Sequence, residues 1–250
     1  MQDVNFQRTY RLEEVYEGAK ERLTHLLGKY LGTEDVYRFN DADRSITFIS
    51  ERIFPSGGTS RRRVMLLFSN PHPHSIQQGM FLAPTSRGRE SDFWSILEQA
   101  GWLPIGKEKR SPKYLAEMCL QAAYPGPFEL AFYCYYAFPS NYPDELKKIF
   151  GREYFSSVIE PEARLEFTQT VKDMGVETVI AFNKEVYNRI VTNPVETCIQ
   201  RLKAGELIHS LVKGVEREVP VFLTFPTGWL YDKAYRQLRI GSLQRIKDAI

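Results

Sequence analysis

The stretch "RVMLLFSN", Arg63–Asn70, decides the fold. Five apolar residues stand in succession, with basic residues before them and a polar Ser-Asn-Pro turn after them. The run is too short for a helix and has no polar face, so it reads as a strand buried on both sides. Such a strand needs a covering layer above and below. Three further runs of the same kind follow: "ELAFYCYYAF" (Glu129–Phe138), "TVIAFN" (Thr178–Asn183) and "VPVFLTF" (Val219–Phe225). Helical patterns separate them. Phe93, Ile96, Leu97 and Ala100 share one face ahead of Gly101. Ser111-Pro112 supplies a cap and a first-turn proline. A third pattern runs from Pro161 to Gly175, a fourth starts at Asn183, and "YDKAYRQLRIGSLQRIKDAI" closes the chain. Strands alternating with helices predict a three-layer α/β/α fold with a central four-stranded, mainly parallel sheet.

Upstream, Leu12, Val15, Tyr16, Ala19, Leu23, Leu26, Leu27 and Tyr30 recur at helical spacing, ending near Gly32. "VYRFN" and "SITFIS" flank the turn "DADR" as short strands. No linker-like composition interrupts the chain. The reading is one domain over residues 1–250, with residues 1–60 as an N-terminal extension packed on it.

Composition narrows the function classes. Of 250 residues, 43% are hydrophobic and 26% charged, with a net charge of +2. These are ordinary values for a globular chain, so any nucleic-acid contact must come from local patches such as Arg61–Arg63 and Lys107–Lys113. The three cysteines are far apart and include no CxxC pair, which argues against a disulfide framework, a zinc ribbon or an iron–sulfur cluster and fits a reducing compartment. The N-terminus is polar and no run approaches the ~18 apolar residues of a membrane helix. The expectation is a cytoplasmic protein with no membrane partner.

In parallel sheets ligands bind beyond the carboxyl ends of the strands, so the loops after Phe68, Phe138, Phe182 and Phe225 are the candidate functional loops. The first, "SNPHPHSIQQGMFLAP" (Ser69–Pro84), holds two of the four histidines. On an extended segment His72 and His74 share a face and are a candidate metal pair. No Cys, Asp or Glu lies nearby, and His25 and His209 are in unrelated segments. The ligand set falls short of a zinc site, and no metal or cofactor is expected. The chain also lacks GxSxG, GxxxxGK[ST] and a strand–GxGxxG–helix. Two plainer alternatives remain open: loop histidines in water, or an unrelated hydrolase-like or nucleotide-binding enzyme that uses His72 or His74.

The order of these features resembles the uracil-DNA glycosylase superfamily, nearest its mismatch-specific uracil/thymine branch. The first motif of that branch is a strand ending in Asn-Pro, followed by a glycine and aromatics, then Phe-Trp and Ala-Gly. Asn70-Pro71, Gly79, Phe93-Trp94 and Ala100-Gly101 fall in matching places. "TVIAFNKEVYNRI" is similar to the third strand and helix of that superfamily, and "LTFPTGWLYDKAYRQL" to its last motif. The likeness covers roughly residues 62–250.

The resemblance implies hydrolysis of the N-glycosidic bond of a flipped uracil or other deaminated or mismatched base in DNA, by a monomer. Asn70 would hold the attacking water. His72 and His74, with loop N–H groups, would face the charge that develops on the departing base. Ser69, Met80, Phe81 and Tyr133 would line the base pocket, Phe81 by stacking. Arg61 and Arg63 would meet phosphates, while Phe225, Pro226, Thr227, Gly228 and Trp229 would press into the groove. Two departures favour an alternative, a protein that keeps the fold and binds a nucleic acid or nucleobase without cleaving it: Phe132 and Tyr133 stand where many members read the base with Asn, and Phe225 replaces His or Asn. A further departure is that Phe68-Ser69 precede Asn70 where the branch has Gly.

Overall fold

The structure, a computed structural model, describes residues 4–27, 34–56, 60–84, 88, 90–104, 106, 111–227 and 233–250. All four apolar runs are strands: β4 (Arg62–Phe68), β5 (Phe128–Cys134), β6 (Thr178–Ala181) and β8 (Pro220–Leu223). They lie side by side in the order β5-β4-β6-β8, and every neighbouring pair is parallel. Alternate residues face opposite sides. Val64, Leu66, Phe68, Leu130 and Phe132 enter one core, while Met65, Leu67, Ala131 and Tyr133 enter the other. Burial on both faces is what makes these runs apolar throughout.

The sheet has eight strands, which corrects the expectation of four. Near the N-terminus, β1 (Asn5–Arg11), β2 (Tyr37–Asn40) and β3 (Ser45–Ile53) form an antiparallel unit in which β1 and β2 pair with opposite edges of β3. The end of β3 then joins the parallel core through Arg52↔Tyr133 and Ile53↔Phe132. At the far edge β7 (Ile208–Leu211) pairs antiparallel with β8 as the first arm of a hairpin. "NFQRTYR" in β1 gave no strand signal because an edge strand buries little and needs no apolar alternation. Only Tyr10 of its seven residues is buried.

Helices cover both faces. On the face of Val64 and Phe68 lie α3 (Asp92–Gln99), α4 (Pro112–Leu120) and α10 (Lys233–Ala249). The opposite face is covered by α1 (Tyr16–Leu27), α5 (Pro143–Phe150), α7 (Glu160–Asp173), α8 (Lys184–Ile190) and α9 (Ile199–Lys203). A short α2 (Pro73–Gln78) sits at the carboxyl end of β4. The caps expected from sequence form: Ser111 Oγ accepts the Tyr114 N–H and Asn183 Oδ1 the Val186 N–H. The helix expected at Pro161 begins earlier, as α6 (Arg152–Tyr154) and a π turn (Phe155–Ile159) that runs into α7. Pro161 has no N–H to give, and the wider turn directly before it shifts the hydrogen-bond register, with the Glu160 N–H reaching Phe155 O. Among the described residues no helix is long and apolar enough to cross a membrane. The three cysteines are free and buried.

Candidate functional site

The connections of the sheet single out the end of β4. The chain leaving β4 passes to the first face through α3 and α4. The chains leaving its neighbours, β5 and β6, pass to the other face through α5 to α7 and through α8 and α9. Connections that diverge in this way open a crevice at the carboxyl ends of the strands. Ser69 and Asn70 stand at that point.

The loop is fixed to the neighbouring one by backbone bonds. Tyr135 N–H donates to Phe68 O at 2.9 Å, Tyr136 N–H to Ser69 O at 2.8 Å and Ser140 N–H to Pro71 O at 3.0 Å. The Asn70 amide has one orientation. Its Nδ2 donates to Ser140 O at 2.6 Å and approaches Ser140 Oγ at 3.0 Å, while Oδ1 accepts from Ser69 Oγ at 3.0 Å. Carbonyl oxygen accepts only, so the nitrogen must face Ser140, and Oδ1 keeps one lone pair for a further donor such as water.

His72 and His74 have structural tasks. His72 is the N-cap of α2: its Nδ1 accepts the His74 N–H at 3.2 Å, which leaves its proton on Nε2. Desolvation first, and His74 second, lower the His72 pKa, although the residue as a whole is exposed. Nε2 of His74 lies 2.6 Å from Pro84 O and is therefore the protonated nitrogen. Gly79 ends α2 at φ +69°, with open space around a would-be Cβ, so its role is conformational. Among the described residues no group of three or more His, Cys, Asp or Glu converges as a metal site.

The expected base-binding residues are not brought together. Met80 and Phe81 are buried in the first core, where Phe81 packs 5.5 Å from Phe68 and 5.7 Å from Phe132 between ring centroids. Tyr133 is buried in the opposite core, against Phe167 of α7. Only Ser69 is beside Asn70.

Arg61 and Arg63 lie at the other end of β4, roughly 30 and 23 Å along the chain direction from Asn70 at 3.3 Å per strand residue. Both are engaged. Arg61 donates to Tyr124 O at 2.8 Å and to Gly126 O at 3.2 Å, and Arg63 pairs with buried Glu129 at 2.7 Å.

In the last loop Phe225 is buried and meets Tyr235 edge-on, and Pro226 O accepts from Arg239. Thr227 is half-buried. Gly228 and Trp229, along with Arg87, Arg89, Lys107, Lys109 and Arg110, lie outside the described residues. The loops after β4 and β8 share one edge of the sheet, with the loop of β6 between them; there Phe182 stacks on Phe68 at 5.2 Å and 5°.

Sequence reasoning missed the residue beneath the loop. Glu51 of β3 is 3% exposed, and its carboxyl accepts the His72 backbone N–H. Burial raises its pKa well above the ordinary value, and the His72 bond opposes that only in part. It also missed Tyr135 and Tyr187, whose hydroxyls are buried without a partner and are pushed up to about 12 by burial. A lone Glu in "SERIF" carries no signal of burial, because the pairing that buries it is made by distant residues. No family model and no curated protein matches the chain.

Proposed function

We propose that the chain is a uracil-DNA glycosylase-like protein that hydrolyses the N-glycosidic bond of a deaminated or mismatched base, with Asn70 as the residue that positions water. The observation that carries this reading is the place of Asn70. It stands at the carboxyl end of the one strand whose connection diverges from those of both neighbours, and its amide orientation leaves Oδ1 able to accept from water. The four-stranded parallel core with helices on both faces supports the same fold. An amide is a poor general base, so the reaction is slow and relies on geometry.

The test is release of free base from duplexes that contain U·G, U·A, T·G or hypoxanthine. Asn70→Ala should lower release by about 100-fold, the scale of a lost positioning contact, and leave DNA affinity unchanged. Asn70→Asp should preserve or raise release, because a carboxylate adds a base and a charge that favours the sugar cation. Wild-type protein inert on all four duplexes, or an Asn70→Ala variant as active as wild type, overturns the reading. A binding-only protein is the second reading, favoured by Phe81 and Phe225, both of which are 2% exposed and occupied by core packing. It predicts base-selective DNA binding with no release.

A further inference from the structure

Among the described residues, two buried oxygens lack a hydrogen-bond partner on residues that face each other in the sheet: Asn5 Oδ1 and Glu51 Oε2. The ladder tells how close they are. Arg52 N–H donates to Val4 O at 2.9 Å, which makes Val4 and Arg52 a hydrogen-bonded pair. Such pairs alternate along an antiparallel ladder, so Asn5 and Glu51 form a non-hydrogen-bonded pair. There the Cα atoms are about 4.5 Å apart and the side chains closest. The Asn5 orientation is fixed, because its Nδ2 donates to Ile76 O of α2 at 2.8 Å. Its carbonyl oxygen is thus the atom left over, across the pair from the Glu51 carboxyl, and among the described residues neither orphan oxygen has a donor. Two acceptors side by side out of water cost free energy, whereas one proton between them satisfies both.

We propose that Glu51 is a positioning residue held as a neutral acid: its Oε2–H donates to Asn5 Oδ1 while its other oxygen accepts the His72 N–H. One buried carboxyl thus ties β1, β3 and α2 to the loop that carries Asn70. The surroundings agree. Cys134 on β5 has its thiol raised in pKa by burial first, and an ionised Glu51 would raise it further, so it is a neutral neighbour and no counter-charge to Glu51. Of the histidines at the loop, His72 is itself pushed toward its neutral form, and His74 is bound to Pro84 O. Arg52, the nearest cation in sequence, lies over the Phe6 ring, and adjacent strand residues point to opposite faces. The His72 N–H is the group that favours ionised Glu51, and burial outweighs it.

The sign of the pH dependence follows. A carboxyl whose folded pKa is raised contributes fully below the ordinary value of 4.5, and that contribution is lost as pH rises toward the folded pKa. Between that value and the folded pKa, the unfolding equilibrium constant of the wild type should therefore rise about tenfold per pH unit from this group alone. Glu51→Gln removes this dependence, since an amide can both donate to Asn5 and accept from His72 at every pH. Glu51→Ala loses both bonds at every pH.

The experiment has two arms. In the first, carbon-13 NMR follows the Glu51 carboxyl, assigned by its absence in Glu51→Gln, and chemical unfolding compares the three proteins from pH 4.5 to 7.5. The expected result is a carboxyl still protonated at neutral pH, and a Glu51→Gln variant that gains on wild type as pH rises while Glu51→Ala lags throughout. Titration of Glu51 near 4.5, or a Glu51→Gln variant as unstable as Glu51→Ala, overturns the proposal. The second arm, which rests on the glycosylase reading, measures base release: Glu51→Gln should keep wild-type release and Glu51→Ala should lose it. If wild type releases no base, that reading fails, and the first arm still judges Glu51 alone.

Discussion

Phe81→Ala lowers the free energy of unfolding by about 3–5 kcal/mol, the cost of emptying a packed aromatic site. Phe81 is 2% exposed, and its neighbours Phe68, Phe132 and Met80 are themselves buried, so the surroundings have little room to collapse. Denaturant titration of the two proteins measures this. Phe81→Leu separates packing from stacking. Leucine refills most of the volume, so a purely packing residue should lose less than about 1.5 kcal/mol and leave affinity for base-containing DNA untouched. A residue that stacks on a base should instead lose about 1–3 kcal/mol of that affinity, because leucine has no ring face. The burial of Phe81 points to the first outcome, and an affinity loss in Phe81→Leu at full stability would return Phe81 to the base pocket.

Arg63→Ala is expected to cost about as much, again about 3–5 kcal/mol, by breaking its ion pair with the buried Glu129 side chain. The guanidinium meets Glu129 Oε2 from Nε at 2.9 Å and from Nη2 at 2.7 Å, and it also donates to Met174 O. The Glu129 side chain is 3% exposed, so water cannot replace what is removed. Glu129→Gln added to Arg63→Ala should recover part of the loss, since the side chain left behind is then a neutral amide. The sequence reading gave Arg63 a phosphate, and that role makes a different forecast: unchanged stability, with the salt slope of DNA binding reduced by about one. Measuring both quantities on Arg63→Ala separates the two roles.

Residues 63–68 show what a single sequence reveals. A strand buried on both faces must be apolar at every position, so β4, β5, β6 and β8 announced themselves, and the helical patterns between them implied two covering layers. Burial on one face or at an edge leaves weaker marks. β1 is polar because half of it meets water, and its partner β3 is some forty residues away, so nothing local in "NFQRTYR" records the pairing. The candidate site was legible to the same degree. Asn70 could be placed from the strand that precedes it. Phe81 and Tyr133 could not be sorted from their neighbours, because which face a residue takes depends on the register of strands not yet paired. Glu51 was invisible for that reason too: its meaning comes from Asn5, Ile76 and His72, none of them within twenty residues.

The way the sheet stops bears on self-association. At one margin β1 carries Arg8 and Arg11, and at the other β7 is only four residues long, so neither is an inviting template for another strand. The vulnerable margin is internal. β3 covers β5 for just two residue pairs, and further along Leu130 N–H is met instead by the Tyr124 hydroxyl at 2.7 Å. β5 is seven residues long, buried throughout, free of proline and singly charged. A chain lacking the first 55 residues would bare that margin of β5 as a template for a strand from a second molecule. The N-terminal unit is in this sense an edge guard, and its value to the protein is measured in solubility as much as in stability.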